Sequence, residues 1–394
     1  MILDLGTQPP ANSFITQNEL HSSESKFPLR LFWCHDCFLV QLLDIVDKEY
    51  LFKNYLYMTS ASKPIVEHFI QYANEIYEEF LQNENCPFVV EIGSNDGSLL
   101  AEFKKLGASI LGIEPATNLS NQANQSEINT RNTFFSSKVG KEIVQSRNAS
   151  IVVANNVIGH VEDLQDLMEG IRILIGQKGI FIFEVPYLMD LIRKLEFDTI
   201  YHEHLSYFSL LPILNLVNQY GLEVFDIKKQ SVHGGTIRVF ISTKNNFIVK
   251  DSVKNFLEDE YRFGLDNIEI YTSFSLQVAE FKRKLKTELE TIKNQKKSIF
   301  GYGAPAKGNV LLNYCEIDGR LIDFVIDTTL LKQGKYTPGT HIPIFPSEMI
   351  SEKGDGDIAL LLAWNYECEI LKKEKQFRDK GGKFLIPIPT PILK

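Results

Sequence analysis

One stretch decides the fold of this chain: Val89-Val90-Glu91-Ile92-Gly93-Ser94-Asn95-Asp96-Gly97-Ser98-Leu99-Leu100. Residues 88–92 are apolar except for Glu91, a composition that suits a central parallel strand. Gly93 and Gly97 permit backbone torsions and close approaches that a Cβ atom would forbid. The stretch therefore predicts a buried strand, a turn with a ligand over it, and then a helix.

The glycine spacing separates this turn from a dinucleotide site. It reads Glu-x-Gly-x-x-x-Gly, whereas a dinucleotide-binding turn reads Gly-x-Gly-x-x-Gly and brings a third glycine close to the pyrophosphate. The helix that follows begins without that third glycine. The turn therefore favours a ligand without phosphates, although glycine at such a turn can also simply close it.

Polar side chains follow the next two predicted strands. Residues 108–113 read as a strand that leads to Glu114, whose carboxylate can accept hydrogen bonds from both hydroxyls of a ribose. Residues 150–154 read as a third strand, which leads to Asn155 and Asn156. The turn together with Glu114 resembles the cofactor site of class I S-adenosylmethionine-dependent methyltransferases. The predicted cofactor-binding residues are Glu91, Gly93, Asn95, Asp96, Gly97, Glu114, Asn155 and Asn156.

The composition limits the class of protein. The chain has 394 residues, 44% of them hydrophobic and 23% charged, which favours two or three domains with large cores. A net charge of -9 argues against nucleic acid as the main partner. No stretch approaches the roughly 20 apolar residues of a membrane span, and the first residues lack a signal-peptide pattern. We therefore expect a cytoplasmic protein, and the odd count of five cysteines also fits a reducing compartment.

The first 65 residues are predicted to be irregular, without a core of their own, except that residues 27–33 alternate briefly like a short strand. Cys34-His35-Asp36-Cys37 looks like half of a zinc knuckle, in which two such pairs supply four thiolates. No second cysteine pair lies in this segment. A solvated hairpin with two free thiols at Cys34 and Cys37 is therefore as good an interpretation as a metal site, and zinc stays an open alternative.

The segment before the first long helix is dense in hydroxyl groups. It contains Tyr55, Tyr57, Ser60 and Ser62, which suit hydrogen bonding to a polyol. Serine and threonine can equally cap the helix that follows, which is predicted from Pro64 to about Gln82. The segment is thus either a candidate substrate site or a helix-capping turn.

The densest polar cluster is residues 197–208, which include Tyr201, His202, Glu203 and His204. Histidine gains and loses a proton near neutral pH, so it is the usual general base, and a neighbouring carboxylate can orient it. Zinc is a weaker alternative, because two histidines two residues apart share a face only in a strand. Alternatively, these side chains have no catalytic role and only form hydrogen bonds within a long connecting segment.

The second half of the chain predicts a closing hairpin, a helical connector and another α/β unit. Residues 222–227 and 236–241 read as an antiparallel strand pair, and residues 250–297 as a charged helical connector. Gly301-Tyr302-Gly303-Ala304-Pro305-Ala306-Lys307-Gly308-Asn309 reads as a turn that opens a helix, where Lys307 provides an anion site. Pro305 makes phosphate binding a better interpretation than a second dinucleotide.

Several segments together, in this order along nearly the whole chain, resemble the sugar C-methyltransferase family, whose members methylate a ring carbon of nucleotide-linked deoxysugars. They are Cys34-x-x-Cys37, Tyr55-x-Tyr57, Glu91-Ile-Gly-Ser-Asn-Asp-Gly97, Asn155-Asn156-Val-Ile-Gly-His160, Tyr201-His-Glu203-His204, His233-Gly-Gly-Thr and Gly301-Tyr-Gly-Ala-Pro-Ala-Lys307. The family carries a further Cys-x-x-Cys before a Leu-Gly-x-x-Pro-x-Ala-Asn segment. Here that segment already begins at Leu5, so the second pair is absent.

The resemblance implies an α/β protein with three domains. These are an irregular N-terminal domain over residues 1–65, a class I Rossmann-like methyltransferase domain over 66–245, and a helical connector with an α/β nucleotide-sugar domain over 246–394. It also implies S-adenosylmethionine as cofactor and a nucleotide-linked 4-keto-6-deoxy sugar, methylated at C-3, as substrate. We expect a monomer.

The resemblance further implies the roles of the site residues. His204 would be the base that removes the proton next to the keto group, with Tyr201 and Tyr55 donating to the enolate oxygen. Glu203 would orient His204, and His160 would lie at the cofactor edge. The implied substrate-binding residues are Tyr55, Tyr57, Ser60, Ser62, His233, Tyr302, Pro305, Lys307 and Asn309.

Three other activities stay open at this point. A sugar O-methyltransferase needs only a base near a hydroxyl group. An NAD-dependent enzyme acting on nucleotide sugars would use either glycine turn, although the spacing of the first speaks against it. A non-catalytic nucleotide-sugar-binding protein would keep the turn at residues 301–309 and tolerate the loss of His204.

Overall fold

The computed structural model describes residues 1–52, 58–230 and 235–394, and within these ranges its strands form three sheets. The strands are β1 (Leu3–Gln8), β2 (Phe27–Trp33), β3 (Val40–Leu42), β4 (Phe88–Ile92), β5 (Ser109–Ile113), β6 (Thr130–Arg131), β7 (Ile151–Asn155), β8 (Ile180–Pro186), β9 (Ser206–Tyr207), β10 (Leu222–Gln230), β11 (Thr236–Thr243), β12 (Ile299–Tyr302), β13 (Val325–Asp327), β14 (Ile344–Pro346), β15 (Ile358–Leu361), β16 (Lys383–Ile386) and β17 (Ile392–Leu393). The helices are α1 (Lys48–Phe52), α2 (Lys63–Ile76), α3 (Ser98–Lys105), α4 (Thr117–Gln125), α5 (Ser137–Val144), α6 (Leu164–Ile175), α7 (Leu188–Arg193), α8 (Leu210–Asn218), α9 (Asp251–Phe263), α10 (Ile268–Asn294), α11 (Ala306–Tyr314), α12 (Glu367–Lys373) and α13 (Lys375–Asp379).

The largest sheet has seven strands in the order β10-β11-β8-β7-β4-β5-β6. Strand β11 runs antiparallel to both of its neighbours, whereas the ladders from β8 to β6 are parallel. Val89 and Val90 of β4 have no exposed surface, because helices cover both faces of the sheet, as parallel sheets require. This is the class I methyltransferase arrangement, and the predicted fold class is confirmed.

The N-terminal segment forms a regular sheet, which corrects the prediction that it is irregular. Strands β1, β2 and β3 form an antiparallel sheet, which β9 of the polar segment 197–208 completes by pairing with β3. Alternate residues such as Leu29 and Leu31 of β2 are buried on one face. The prediction was wrong because the strands are short and the fourth comes from a distant part of the chain.

The C-terminal sheet has the order β14-β13-β12-β15-β16-β17, with β17 antiparallel to β16 and the other ladders parallel. The predicted helical connector before it is confirmed as α9 and the 27-residue α10. Strand β12 lies between β13 and β15, so a crevice opens at their carboxyl ends. The turn at residues 303–307 and the segment 362–366 both lie there.

The three sheets broadly follow the predicted division at residues 65 and 245, except that β9 belongs to the N-terminal sheet. The domain boundaries therefore stay predictions. None of the helices in the described ranges combines the length and the apolar character needed to cross a membrane.

Candidate active site

The turn after β4 contains three residues in the left-handed region. Gly93 and Gly97 have φ angles of 67° and 79°, and Asn95 has a φ of 52°. A Cβ atom on Gly93 would lie 2.3 Å from Cγ2 of Val157. The first glycine is therefore required both by its torsion angle and by the close approach of the segment that follows β7.

Glu114 ties the end of β5 to this turn. Its carboxylate accepts a hydrogen bond from the backbone N–H of Asn95 and another from that of Ala116, each at 2.8 Å. Burial raises the pKa of Glu114, and the two backbone donors oppose that rise. A carboxylate has lone pairs for further donors, so Glu114 can still accept hydrogen bonds from ribose hydroxyls.

Glu91 is a buried carboxyl group beneath the same turn. Its Oε2 atom has no hydrogen-bond partner among the residues that the structure describes. Burial, with the negative charges of Asp96 and Glu114, raises the pKa of Glu91 well above its usual value. A cationic ligand over the turn would relieve this concentration of acidic groups.

The start of the hydroxyl-rich segment lies against the cofactor turn. The backbone N–H of Thr59 donates to Asn95 Oδ1 at 3.0 Å, and that of Ser60 donates to Asp96 Oδ2 at 2.9 Å. Ser62 is the N-cap residue of α2, and its side chain makes no capping hydrogen bond. Tyr55, Tyr57 and His233 lie outside the described residues.

The structure gathers His204, Tyr201 and His160 at one place. The ring centroids of Tyr201 and His204 are 3.9 Å apart, and those of His160 and His204 are 4.8 Å apart. The Nδ1 atom of His204 lies 2.8 Å from the carbonyl oxygen of Thr199. Because a carbonyl can only accept, Nδ1 carries a proton, and in the neutral form of the ring the lone pair is then on Nε2.

His160 supplies a neutral neighbour to His204. Burial lowers the pKa of His160 to about 4, although backbone contacts with Glu203 and Asn156 oppose the shift. The His160 ring is therefore uncharged near neutral pH. It does not disfavour a positive charge on His204, which a base acquires during proton transfer.

Glu203 and His202 take contacts that the sequence analysis did not anticipate. Glu203 Oε1 accepts a hydrogen bond of 2.7 Å from the side chain of Asn12 in the N-terminal segment. His202 is buried, with Nε2 3.2 Å from the carbonyl oxygen of Phe27. His202 thus has the structural role weighed for this cluster, while the orienting role of Glu203 stays a prediction.

The C-terminal crevice brings Lys307 close to Trp364. The Nζ atom of Lys307 lies 4.9 Å from the Trp364 ring centroid. Tyr302 donates its phenolic hydrogen to Glu374 at 2.7 Å, and Pro305 caps the N-terminus of α11. Asn309 is buried and donates to the carbonyl oxygen of Ala11 at 2.7 Å, so its amide nitrogen already has a partner within the protein.

Sequence reasoning assigned no site role to three residues near the site, namely Asn12, Asp198 and Trp364. The indole N–H of Trp364 donates to Asp198 Oδ2 at 2.6 Å. Trp364 follows β15, so the rule that ligands bind at strand ends could have singled it out. Asn12 and Asp198 lie in segments that the sequence analysis singled out, but their partners Glu203 and Trp364 are far away in the sequence.

The N-terminal turn supplies two half-buried free thiols, those of Cys34 and Cys37. Backbone N–H groups of Cys37 and Asp36 lower the pKa of Cys34, whereas burial raises the pKa of Cys37. Among residues 1–52, 58–230 and 235–394, no group of three or more His, Cys, Asp or Glu side chains could hold a metal ion. The donor set therefore does not fit a four-ligand structural zinc site.

Three family models match successive parts of the chain. The model described as "Putative zinc binding domain" matches residues 1–52, "Methyltransferase domain" matches 66–227, and "C-methyltransferase C-terminal domain" matches 231–389. The first of these covers the part of the chain that contains a single cysteine pair.

A curated relative matches over nearly its whole length. C-methyltransferase NovU of Streptomyces niveus is 34% identical over 392 residues, which cover 99% of this chain and 93% of the relative. Among solved structures, magnesium protoporphyrin IX methyltransferase from Synechocystis PCC 6803 with bound SAM is 12% identical, with a TM-score of 0.33 and coverage of 46% of this chain and 82% of that one. An S-adenosylmethionine-dependent methyltransferase from Clostridium acetobutylicum is 10% identical, with a TM-score of 0.36 and coverage of 44% and 92%.

Proposed function

Since this chain belongs to the C-methyltransferase family that its motifs resemble, we propose that it methylates C-3 of a nucleotide-linked 4-keto-6-deoxy sugar. One observation carries the proposal, namely the imidazole of His204. Its Nδ1 proton is held by the Thr199 carbonyl oxygen at 2.8 Å, and it lies against the phenol ring of Tyr201. An imidazole whose Nδ1 atom carries the proton is suited to removing a proton next to a keto group through Nε2.

S-adenosylmethionine would supply an electrophilic methyl group at the carboxyl edge of the methyltransferase sheet. Glu114 would accept hydrogen bonds from the ribose hydroxyls, and the buried acidic groups Glu91 and Asp96 would favour the positively charged end. Five further residues of the turn and of the end of β7 would complete the cofactor site, namely Gly93, Asn95, Gly97, Asn155 and Asn156.

The chain's own groups would generate the carbon nucleophile. His204 Nε2 would take the proton from C-3, and the resulting charge would spread onto the keto oxygen as an enolate. Tyr201, and Tyr55 by resemblance, would donate hydrogen bonds to that oxygen, where preformed donors are most effective. The enolate carbon would then attack the methyl group in line, a step that the protein aids mainly by positioning.

The nucleotide diphosphate would bind in the C-terminal crevice. Lys307 lies in the first turn of α11, where the helix N-terminus and an ammonium group both favour an anion. Tyr302, Pro305 and Asn309 would shape the same crevice. Tyr57, Ser60, Ser62 and His233 are proposed to contact the sugar, and a cytoplasmic monomer stays a prediction.

The experiment that tests this function combines ligand binding with product analysis. S-adenosylhomocysteine should raise the thermal unfolding midpoint and NAD should not, because only a ligand of the folded state stabilises it. Nucleotide 4-keto-6-deoxy sugars incubated with S-adenosylmethionine should yield a methyl group bonded to carbon, visible by NMR as a singlet at a carbon without hydrogen. A methyl group on oxygen would instead indicate the O-methyltransferase, and stabilisation by NAD alone would indicate the NAD-dependent alternative.

Glu114 offers a test of the cofactor site. Glu114→Ala should weaken the binding of S-adenosylhomocysteine by about 1.5 to 3 kcal/mol, because hydrogen bonds to a charged acceptor are lost. Isothermal calorimetry measures this change, with Glu127→Ala as the control, since Glu127 has 89% of its side chain exposed. Glu114→Gln should lose less than Glu114→Ala, because it keeps one acceptor, and an unchanged dissociation constant in Glu114→Ala would remove Glu114 from the ribose site.

A further inference from the structure

The turn at residues 196–200 belongs to the methyltransferase half of the chain but is held by the C-terminal half. The ring of Phe197 packs against Phe281 of α10 and Tyr314 of α11, with centroid distances of 5.1 and 5.4 Å. Asp198, which has no exposed surface, accepts the 2.6 Å hydrogen bond from the Trp364 indole. The position of this turn therefore depends on contacts with the C-terminal domain.

The same turn provides the acceptor that sets the tautomer of His204. The carbonyl oxygen of Thr199 receives the Nδ1 proton, and the Thr199 hydroxyl donates to the carbonyl oxygen of Glu196 at 2.6 Å. Asp198 lies between Glu196 and Thr199 in the sequence, within a single helical turn that ends at Thr199. A shift of the Asp198 side chain would therefore move the carbonyl on which the base depends.

We propose that Trp364 is a positioning residue for the base: by holding Asp198 it fixes the Thr199 carbonyl, which keeps the proton of His204 on Nδ1. This inference rests on the proposed function of His204. Trp364 also lies beside Lys307, so one side chain contacts both the proposed diphosphate site and the turn that orients the base. The C-terminal domain would then bind the nucleotide and prepare the base through the same residue.

The physical reason is the exchange of roles between the two ring nitrogens. If the Thr199 carbonyl moves away, the Nδ1 proton loses its acceptor, and the ring can place its proton on Nε2 instead. An Nε2 atom that carries a proton cannot accept one from the substrate. The buried carboxylate of Asp198 would also lose a donor, which favours rearrangement of the turn.

The chain offers a matched pair of substitutions to test this role. Trp364→Phe removes the indole N–H but keeps an aromatic ring for Lys307. Trp33→Phe makes the same chemical change where the indole Nε1 atom is buried without a hydrogen-bond partner among the described residues, and where the ring packs on Tyr271 at 5.5 Å. We expect Trp364→Phe to lower kcat by about 10- to 100-fold with little change in KM, and Trp33→Phe to leave kcat near the wild-type value.

A second readout needs no substrate. The imidazole nitrogen shifts of His204 in histidine-labelled protein, assigned with His204→Asn, report which nitrogen carries the proton. The wild type and Trp33→Phe should show the Nδ1–H form, and Trp364→Phe should show a mixture or the Nε2–H form. An unchanged tautomer in Trp364→Phe would overturn the inference, whereas absence of turnover in the wild type would instead overturn the proposed function.

A double-mutant cycle separates this coupling from general destabilisation. Asp198→Ala should lower kcat as Trp364→Phe does. The double variant should be no slower than the slower single variant, because the two substitutions remove the same hydrogen bond. Independent, multiplicative losses in the double variant would contradict the proposal. A loss expressed only in KM would do so as well.

Discussion

The His204→Asn variant should bind S-adenosylhomocysteine and the nucleotide sugar as the wild type does, yet lose about 10²- to 10⁴-fold of its turnover. The asparagine amide can replace Nδ1 as donor to the Thr199 carbonyl oxygen, which accepts from His204 at 2.8 Å. It provides no atom in the place of Nε2. The pocket should therefore persist while the base is removed, and steady-state kinetics with both dissociation constants measure the difference.

Proton exchange isolates the step that His204 is proposed to perform. With S-adenosylhomocysteine in place of the methyl donor, the wild type should wash deuterium from buffer into one ring position of the keto sugar. His204→Asn should not do so. His202→Gln is a suitable control, because glutamine can still reach the carbonyl oxygen of Phe27 that His202 contacts at 3.2 Å. Exchange at the wild-type rate in His204→Asn would move the role to His160 or Glu203.

Replacement of Arg238 by leucine should lower the free energy of unfolding by about 3 to 5 kcal/mol, because it leaves the buried Glu184 carboxylate without one of its two partners, the other being His68. Arg238 is 1% exposed and donates to Glu184 at 2.8 Å and to Glu75 at 3.0 Å. Its guanidinium group also lies 3.7 Å from the ring centroid of Tyr72. Tyr72 and Glu75 lie in the last turns of α2, so these contacts hold the C-terminal end of that helix against β11 of the methyltransferase sheet.

Urea unfolding near neutral pH measures this loss. Arg30→Leu is the matched control, since Arg30 pairs with Asp44 in two hydrogen bonds of 2.9 and 2.8 Å but has a side chain that is 40% exposed. Exposed pairs contribute about 0 to 1 kcal/mol. If Arg238→Leu costs no more than Arg30→Leu, the buried cluster does not stabilise the fold as its geometry indicates.

The same variant should change the dependence of stability on pH. Burial raises the pKa of Glu184, but His68 and Arg238 together lower it below its usual value. A carboxyl group with a lowered pKa stabilises the fold fully above its unfolded pKa of about 4.3, and that contribution is lost as the pH falls through the folded pKa. Without Arg238 the folded pKa of Glu184 rises, so the stabilisation that Glu184 loses in acid becomes smaller in the variant. The difference in free energy of unfolding between the wild type and the variant should therefore shrink as the pH falls below about 4.3. A difference that stays the same from neutral to acid pH would contradict this.

The sequence by itself determined the methyltransferase sheet. The apolar run before Gly93, the strand that leads to Glu114 and the strand that leads to Asn155 are local patterns, and parallel strands bring their carboxyl ends to one edge. The helical connector and the closing hairpin could also be predicted, because their patterns of apolar residues extend over many positions. The polar segment with Tyr201 and His204 stood out by composition alone.

Only the tertiary structure decided which groups surround the base and how it is oriented. Strand β9 completes the N-terminal sheet by pairing with β3. Asn12 donates a hydrogen bond to Glu203, and Trp364 donates one to Asp198. Each of these contacts joins residues far apart in the chain. The tautomer of His204 depends on a single backbone carbonyl, which no side-chain pattern encodes. Hydrogen bonds act over about 3 Å, so they are fixed by how the sheets pack together rather than by any local run of residues.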